Sequence, residues 1–237
     1  MPNEGKRLRG QRVKVDATRR YAMDEAVGLI KEMASAKFDE SVDVAVRLGV
    51  DPRHADQMVR GAVSLPHGTG KSVRVIVFAD GEAARAAEEA GAEAVGSDEL
   101  VQKVNDGWFE FDKAVAATNM MGKVGRLGRV LGPRGLMPNP TVGTVVAPDQ
   151  IGETIRELKR GKIDFRVEKA GIVHCSIGRA SMSQEALRDN FAALMGTLMR
   201  LKPSSAKGSY VKSVAISTTM GPGVRIDVLD AQRAGEG

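Results

Sequence analysis

The chain has 237 residues, 42% of them hydrophobic, and a formal net charge of +5. This length and composition indicate one large or two modest folded domains. No apolar run approaches the roughly 20 residues that cross a bilayer, and the N-terminus has no apolar signal core, so we expect a soluble cytoplasmic protein without a membrane partner. The only cysteine is Cys175, for which we predict a buried structural thiol; we predict no disulfide and no metal site.

Positive charge is concentrated at the N-terminal end of the chain. Residues 1–20 contain seven Lys and Arg against Glu4 and Asp16, a local charge of +5. Residues 80–112 have the opposite character, with ten anions against Arg85 and Lys103. The sequence therefore predicts one basic and one acidic surface, and the basic surface favours a phosphate-rich partner.

The predicted elements begin with a helix followed by a strand. The helix is indicated by apolar residues at helical spacing, namely Met23, Val27, Ile30 and Met33. The strand is indicated by apolar residues that alternate with polar ones, namely Val42, Val44, Val46 and Leu48. Residues 73–118 then alternate between strand and helix patterns, which implies a parallel sheet. A further helix over residues 149–159 leads back to Gly161.

The C-terminal part again predicts strands around a helix. Residues 163–177 alternate as in a hairpin. A long helix follows, for which Ser181 and Gln184 offer a capping box. Its core stripe consists of Leu187, Phe191, Leu194, Leu198 and Leu201. Two strands over residues 214–218 and 224–228 complete the pattern.

We predict a fold of mixed α/β and α+β class with two domains. Residues 1–66 and 160–237 form an α+β layer domain built from both termini, and residues 67–159 form an inserted Rossmann-like parallel-sheet domain. Where the chain passes between the two domains, the pattern is interrupted by Pro66, Gly68, Gly70 and Gly161. We expect a hinge at these positions.

The segment from Gly122 to Pro148 is rich in glycine and proline and contains no acidic residue. Glycine lets the backbone approach a phosphate closely, and fixed cations attract it. The cations of the segment are Lys123, Arg126, Arg129 and Arg134. By composition alone, an anion-binding loop and an ordinary surface loop are both consistent with this segment.

The run from Gly68 to Ser72 raises the alternative of a nucleotide-dependent enzyme. A phosphate-binding loop, however, requires glycine where this chain has Leu65, and a helix after Lys71, where this chain predicts a strand. The three histidines are scattered along the chain, and no set of nucleophile, base and orienting group is evident around them. We therefore predict a protein that is not an enzyme, with no catalytic residue, no cofactor and no small-molecule substrate.

The segment GPRGLMPNP at residues 132–140 resembles the signature of the L1 family of large-subunit ribosomal proteins. Five further segments resemble blocks of this family in the family's order. They are AKFDESVDVAVRLGVDPR at 36–53, VRGAVSLPHGTGK at 59–71, DGWFEFDKAVAATNMMGKVGRLGRVLG at 106–132, KIDFRVEKAGIVHCSIGRASM at 162–182 and SVAISTTMGPGVRI at 213–226. The resemblance covers nearly the whole chain.

The resemblance implies a protein of the mobile side stalk of the ribosome, whose terminal domain binds 23S ribosomal RNA of the large subunit. It also implies that the inserted domain assists the movement and release of transfer RNA at the exit site. The family further represses translation of its own messenger RNA by binding a mimic of the ribosomal site. An RNA-binding regulator that acts off the ribosome stays an alternative, because the same surface is able to serve either role.

The resemblance also places RNA contacts at twelve positions of this chain. They are Lys37, Phe38, Ser41, Arg166, Lys169, His174, Ser176, Ser217, Thr218, Thr219, Met220 and Gly221. Ser176 is at a position that varies within an otherwise well-matched block. The turn at 217–221 suits RNA, because short hydroxyls reach the 2′-OH and apolar groups stack on bases or riboses. With two tyrosines and one tryptophan, the chain lacks a broad stacking platform for single strands, so we predict a folded RNA as the partner.

Overall fold

The computed structural model describes residues 5–236. Its α-helices are α1 (Lys6–Arg12), α2 (Met23–Met33), α3 (Gly81–Glu89), α4 (Asp98–Asn105), α5 (Met121–Val124), α6 (Gly128–Leu131), α7 (Ile151–Arg160), α8 (Gln184–Arg200) and α9 (Val228–Glu236). Its strands are β1 (Ser41–Leu48), β2 (Arg60–Ser64), β3 (Val75–Phe78), β4 (Ala94–Gly96), β5 (Lys113–Ala117), β6 (Val145–Val146), β7 (Lys162–Arg166), β8 (Ile172–Arg179), β9 (Val211–Thr218) and β10 (Val224–Ile226). Over the described residues, none of the helices combines the length and the apolar character needed to span a bilayer.

The described residues form two compact units. The terminal unit contains the residues up to Gly70 together with those from Ile163 onward, and the inserted unit contains Lys71–Lys162. Near the passages between the units, Gly68, Gly70 and Gly161 have φ angles of 67°, 69° and 112°. These positive angles favour glycine over residues with a side chain. The hinge at these positions stays a prediction.

The terminal unit is built on an antiparallel sheet with the strand order β10-β9-β1-β8, and β2 and β7 form a separate pair. Helices α2, α8 and α9 pack on one face of the four-stranded sheet. Alternate strand residues such as Val44, Ile177 and Ile216 are almost completely buried against these helices. Because side chains alternate between the two faces of a strand, the residues in between point away from the helices.

We call this second face of the sheet the open face. Its side chains are half-buried or exposed, and none belongs to the buried core. They are Asp43, Ala45 and Arg47 of β1, His174 and Ser176 of β8, Ser213, Ala215 and Ser217 of β9, and Arg225 of β10. Polar and small residues therefore form the surface of the sheet that the helices leave uncovered.

The inserted unit is built on a parallel sheet with the strand order β4-β3-β5-β6. Every residue of the central strand β3 is buried, as is typical of a strand that is covered on both faces. Helix α3 packs against α7, and α4 packs against α5. The predicted combination of an α+β layer with a Rossmann-like parallel sheet is thus confirmed.

The glycine-rich segment after Gly122 is not a loop throughout, because it contains α5 and α6. Val124, Leu127 and Leu131 recur at helical spacing and are buried in the core of the inserted unit. This apolar periodicity outweighs the weak helix propensity of the intervening glycines.

The end of the chain also differs from the prediction, because a strand predicted to reach residue 228 ends at Ile226 and Val228 begins α9. The carboxylate of Asp227 accepts hydrogen bonds from the backbone N–H groups of Leu229 (2.9 Å) and Asp230 (3.2 Å). Such bonds satisfy the free N–H groups at a helix start. Asp227 therefore caps a helix that the short apolar pattern did not predict.

The capping box predicted for α8 is wrong by two residues. The Oγ atom of Ser183 accepts a hydrogen bond from the backbone N–H of Ala186 (3.2 Å), so Ser183 is the N-cap. The hydroxyl of Ser181 instead donates to a carboxylate oxygen of Asp39 (2.8 Å). Both serines have helix-capping chemistry, and the contact with Asp39 decides between them.

Candidate nucleic-acid interface

Two segments meet at the end of the sheet where β1 begins: the loop of residues 34–40, which we call the Phe38 loop, and residues 218–221, which we call the Met220 turn. The backbone N–H of Thr219 donates to the carbonyl oxygen of Ser41 (3.0 Å), and the N–H of Ser41 donates to Thr219 Oγ1 (3.0 Å). These bonds continue the pairing of β1 with β9 into the turn. They bring together the predicted contacts Lys37, Phe38, Ser41, Thr219, Met220 and Gly221.

A buried carboxylate, that of Glu40, joins the two segments. Glu40 is 1% exposed. Its Oε1 accepts hydrogen bonds from the backbone N–H groups of Ser35 (3.1 Å) and Ala36 (2.9 Å), and its Oε2 accepts one from Met220 (2.9 Å). Burial acts to raise the pKa of Glu40, but the backbone hydrogen bonds from Ala36 and Met220 outweigh it and hold that pKa below its ordinary value.

The prediction missed Glu40 because charged residues are normally exposed. A signal was nevertheless present in the sequence. Glu40 has the same parity along the strand as Val42 and Val44, whose side chains face the core, so the period of two assigns Glu40 to the buried side. A charged residue at such a position needs hydrogen-bonding partners.

Two apolar side chains stand exposed on the joined segments. Phe38 is 55% exposed and Met220 is 46% exposed. Burying such a side chain completely contributes about 1.5–3 kcal/mol of favourable free energy. Part of this free energy is available only when a ligand covers the side chain. Beside them, Lys37 is exposed. A cation next to exposed apolar groups suits a ligand with phosphates and stackable rings.

Helix α1 packs beside both segments rather than extending from the fold as a tail. The guanidinium of Arg7 donates to the carbonyl oxygen of Met220 (2.9 Å). The side-chain amide of Gln11, which is 7% exposed, donates to the carbonyl oxygen of Met33 and to Ser35 Oγ (3.0 Å). The basic segment predicted from composition therefore also supports the Phe38 loop and the Met220 turn.

His174, Ser176 and Ser217 lie on the open face. Asp43 pairs in register with Ser176 on one side and with Ser217 on the other. Partial burial raises the pKa of Asp43, although the hydroxyl of Ser176 and the charge of His174 act in the opposite direction. The His174 ring lies 3.4 Å from a carboxylate oxygen of Glu168. These groups offer donors and acceptors across the middle of the sheet.

The structure does not bring Arg166 and Lys169 to the Phe38 loop. Both are exposed and precede β8 at the opposite end of the sheet. Ser41 pairs with Arg179 at one end of β1, and Arg47 pairs with Ile172 at the other. Six residue steps along a strand span about 20 Å. The predicted contacts therefore cover the length of the open face, and Arg166 and Lys169 line a cleft of about 720 Å³ at its far end.

Thr218, the first residue of the Met220 turn, points into the protein and not to its surface. It is 3% exposed, and its hydroxyl faces the Glu40 carboxylate, where it helps to lower the pKa of Glu40. A Cβ atom added to Gly221 would lie 2.4 Å from Thr218 Oγ1. Gly221 is not among the residues with positive φ. The glycine is needed here for close packing against Thr218, and a left-handed backbone is not the reason.

The Gly-Lys-Ser triplet has a structural explanation. The Lys71 ammonium lies 2.8 Å from the carboxylate of Asp112, and Arg74 contacts the same carboxylate. Partial burial acts to raise the pKa of Asp112, but hydrogen bonds from Lys71 and Arg74 lower it to about 2. The chain then enters strand β3 directly, with no helix after Lys71.

Across residues 5–236, no group of three or more His, Cys, Asp and Glu side chains is placed to hold a metal ion.

The cations of the glycine-rich segment divide into two kinds. Lys123 pairs with Asp98 (2.6 Å), and the Arg134 guanidinium lies 3.8 Å above the ring of Phe109. Arg126 and Arg129 are exposed and make no side-chain hydrogen bond or ion pair with another described residue. The segment therefore presents two arginines without a described partner on short helices.

The lone thiol of Cys175 is buried, and burial raises its pKa to about 12, as a structural role requires.

The model of the ribosomal protein L1p/L10e family matches residues 30–222. The matched stretch contains all twelve predicted RNA contacts and most of both units, whereas α1 and α9 lie outside it. The family consists of structural RNA-binding proteins rather than enzymes. The chain belongs to the ribosomal L1 family, and it is a large-subunit ribosomal protein that binds ribosomal RNA.

Proposed function

We propose that the protein binds 23S ribosomal RNA at the mobile side stalk through the Phe38 loop, the Met220 turn and the open face of the terminal unit. The observation that carries this proposal is the pair of exposed apolar side chains, Phe38 and Met220, on segments that Glu40 and Arg7 hold in place. A preformed apolar site beside Lys37 suits a folded RNA whose bases or riboses stack there.

The other predicted residues have separate roles in this proposal. Ser41, Thr219, Ser176 and Ser217 offer hydroxyl groups for the 2′-OH or for phosphates. Arg166, Lys169 and His174 attract phosphates along the far half of the open face. Gly221 lets the turn pack tightly on Thr218, so both act by shaping the Met220 turn.

For the inserted unit we propose an auxiliary role in the movement and release of transfer RNA at the exit site. The exposed Arg126 and Arg129 carry no ion pair with a described residue, so their charges are available to a phosphate backbone. Replacing both by Gln should slow the release of transfer RNA from the exit site without changing the affinity for the stalk RNA. Equal release rates in ribosomes with the wild-type and the doubly substituted protein would contradict this role.

We further propose that the same surface of the terminal unit represses translation of the protein's own messenger RNA. One surface that binds a folded RNA shape accepts any RNA with that shape. Phe38→Ala should therefore weaken binding to the stalk RNA and to the leader of its messenger by similar factors. A variant that lost one binding activity and kept the other would separate the two functions.

The direct test of the proposed function is binding to a fragment of the stalk RNA by the full chain. Phe38→Ala should lower the affinity by roughly 5- to 150-fold, since stacking on an aromatic side chain contributes about 1–3 kcal/mol per base. Leu229→Ala is the matched control, because Leu229 is also exposed (65%) but lies on α9. Equal affinities of the two variants would contradict the proposed site. Co-sedimentation with large subunits after a high-salt wash distinguishes a ribosomal protein from a regulator that acts elsewhere.

A further inference from the structure

The edge strand β10 carries a cation onto the open face. Arg225 pairs in register with Ala215 of β9, Ala215 pairs with Ala45 of β1, and Ala45 pairs with His174 of β8. Neighbouring strands are about 4.8 Å apart, so this row crosses roughly 14 Å of the sheet. Its two middle positions, Ala215 and Ala45, have short side chains, so a ligand can approach the sheet closely between Arg225 and His174.

Three cations along this edge have no partner among the residues that the structure describes. Arg20, Lys212 and Arg225 are exposed, and their side chains make no hydrogen bond or ion pair with another described residue. The neighbouring carboxylates are engaged locally, because Asp16 accepts hydrogen bonds from Thr18 and Asp227 caps α9. These donors are neutral, so Asp16, which lines a cleft together with Arg225, and Asp227 keep their negative charges. The three cations outnumber the two carboxylates, and the edge keeps a net positive charge.

Two clefts flank Arg225 and share it as a wall. One, of about 500 Å³, is also lined by Pro222 and Gly223, which directly follow the Met220 turn. The other, of about 260 Å³, is also lined by Arg20 and Lys212. A continuous path therefore runs from the Met220 turn, past Arg225, to Arg20 and Lys212.

We propose that Arg20, Lys212 and Arg225 form a phosphate-binding strip that holds a second segment of the same RNA that the Phe38 loop and the Met220 turn bind. The inference rests on the proposed function, because it extends that surface to the edge of the sheet. None of the twelve predicted contacts belongs to the strip. Unpaired cations beside small side chains suit the sugar-phosphate backbone, which is bound by charge and without regard to sequence.

An acidic protein is the other class of partner that such cations attract. Protein interfaces generally depend on buried aromatic or large apolar anchors. The clefts offer Val15, Val214, Ile226 and Val228 along their walls, of which Val214 and Ile226 are already buried. The strip therefore lacks such an anchor, and its continuity with the Met220 turn favours the RNA.

The test uses the full chain and a fragment of the stalk RNA over a series of salt concentrations. Arg225→Gln and Lys212→Gln should each flatten the slope of log affinity against log salt by about 0.7–0.9, which corresponds to one lost phosphate contact. Arg200→Gln is the control, because Arg200 is an exposed arginine at the end of α8, on the helix side of the sheet. It should leave the slope unchanged. Arg225→Gln and Lys212→Gln should keep the wild-type melting temperature, because their side chains bond no other described residue, whereas Arg200→Gln also loses hydrogen bonds to Gly196 and Thr197 of α8.

The outcomes separate the strip from the proposed function. If the wild-type protein binds the fragment and the slopes of Arg225→Gln and Lys212→Gln equal that of Arg200→Gln, the proposal of a phosphate-binding strip is contradicted and the proposed function stands. If the wild-type protein does not bind the fragment, the strip and the proposed function are both contradicted. Binding of poly-glutamate that is lost in Arg225→Gln, with an unchanged RNA slope, would assign the strip to an acidic protein and overturn the proposal.

Discussion

The two sheets of this protein are covered differently, and the difference decides where each unit can bind a partner. In the terminal unit the helices pack on one face of the four-stranded sheet, and the other face displays polar and small residues. In the inserted unit the central strand β3 is buried along its whole length. A sheet covered on both sides has only its loops and helices for binding, whereas a half-covered sheet also offers its open face.

The comparison predicts that the terminal unit carries nearly all of the affinity for the stalk RNA. A shortened protein in which residues 1–70 are joined to 163–237 by a short flexible linker should bind the fragment almost as tightly as the full chain. Residues 71–162 alone should bind only non-specifically, with a Kd of about 10⁻⁴–10⁻⁶ M. Isothermal titration of both folded pieces measures this. Specific binding by the inserted unit alone would break the comparison.

Glu40 should be the most sensitive single residue of the terminal unit. The Glu40 carboxylate accepts three backbone hydrogen bonds. In Glu40→Gln, an amide NH₂ group replaces one of the two oxygens, so its N–H groups point at backbone N–H groups and at least one hydrogen bond is lost. We expect a loss of about 1–3 kcal/mol in the free energy of unfolding. RNA affinity should fall as well, because the Phe38 loop and the Met220 turn lose their common anchor. Urea unfolding and RNA titration measure the two effects.

The contribution of Glu40 to the free energy of unfolding should depend on pH in a defined direction. The folded-state pKa of Glu40 lies below its ordinary value of 4.5. Its stabilising contribution is therefore fully present above about pH 4.5 and is lost as the pH falls through the folded-state pKa. The stability difference between the wild type and Glu40→Gln should shrink below pH 4.5. Glu32→Gln is the control, because the exposed pair of Glu32 with Lys14 is worth at most about 1 kcal/mol.

The sequence predicts most of the fold because its periodicities are strong. The helix at Met23–Met33 and the alternation along β1 appear where expected, since a whole buried face specifies each of them. Helix α9 was not predicted, because its start depends on the cap by Asp227 and its packing on α8, where Gly196 and Gly235 are in close contact. Short elements that depend on tertiary packing carry little signal of their own.

The sequence predicted the exposed residues of the candidate site but not the buried residues that support them. The family resemblance indicates Phe38 and Met220, and the structure leaves both exposed. The buried support beneath them depends on long-range contacts, such as Arg7 with the carbonyl of Met220, across 213 residues of sequence. Local patterns contain no information on such pairs. The burial of Thr218 likewise follows from the turn that closes over it.

Gly221 should tolerate substitution less well than Gly223. In Gly221→Ala the added Cβ would lie 2.4 Å from the buried Thr218 hydroxyl, whereas nothing lies within 4 Å of a Cβ at Gly223. We expect Gly221→Ala to lower RNA affinity by about 1 kcal/mol or more through displacement of the Met220 turn. Gly223→Ala should leave the melting temperature unchanged or slightly raised. If thermal melts and RNA titrations show the same behaviour for both variants, close packing is not what requires Gly221.

The smallest expected effects distinguish two arginines of α1. Arg9→Gln removes an exposed charge that lacks a described partner, so any loss of RNA affinity should diminish at high salt. Arg7→Gln also removes the hydrogen bond to the Met220 carbonyl, so part of its loss should persist at every salt concentration. RNA titrations over a salt series measure both. Identical salt profiles would mean that α1 contributes charge alone and does not hold the turn.

The most direct test of the account is to map the backbone chemical shifts of the isotope-labelled protein as the stalk RNA fragment is added. The largest changes should fall on residues 35–41, on 217–225 and on the open-face positions of β8. The helices α8 and α9 on the covered side, and the parallel sheet of the inserted unit, should change little. Changes concentrated on α8 and α9, with the Phe38 loop and the Met220 turn unaffected, would contradict the claim that the RNA binds the open face.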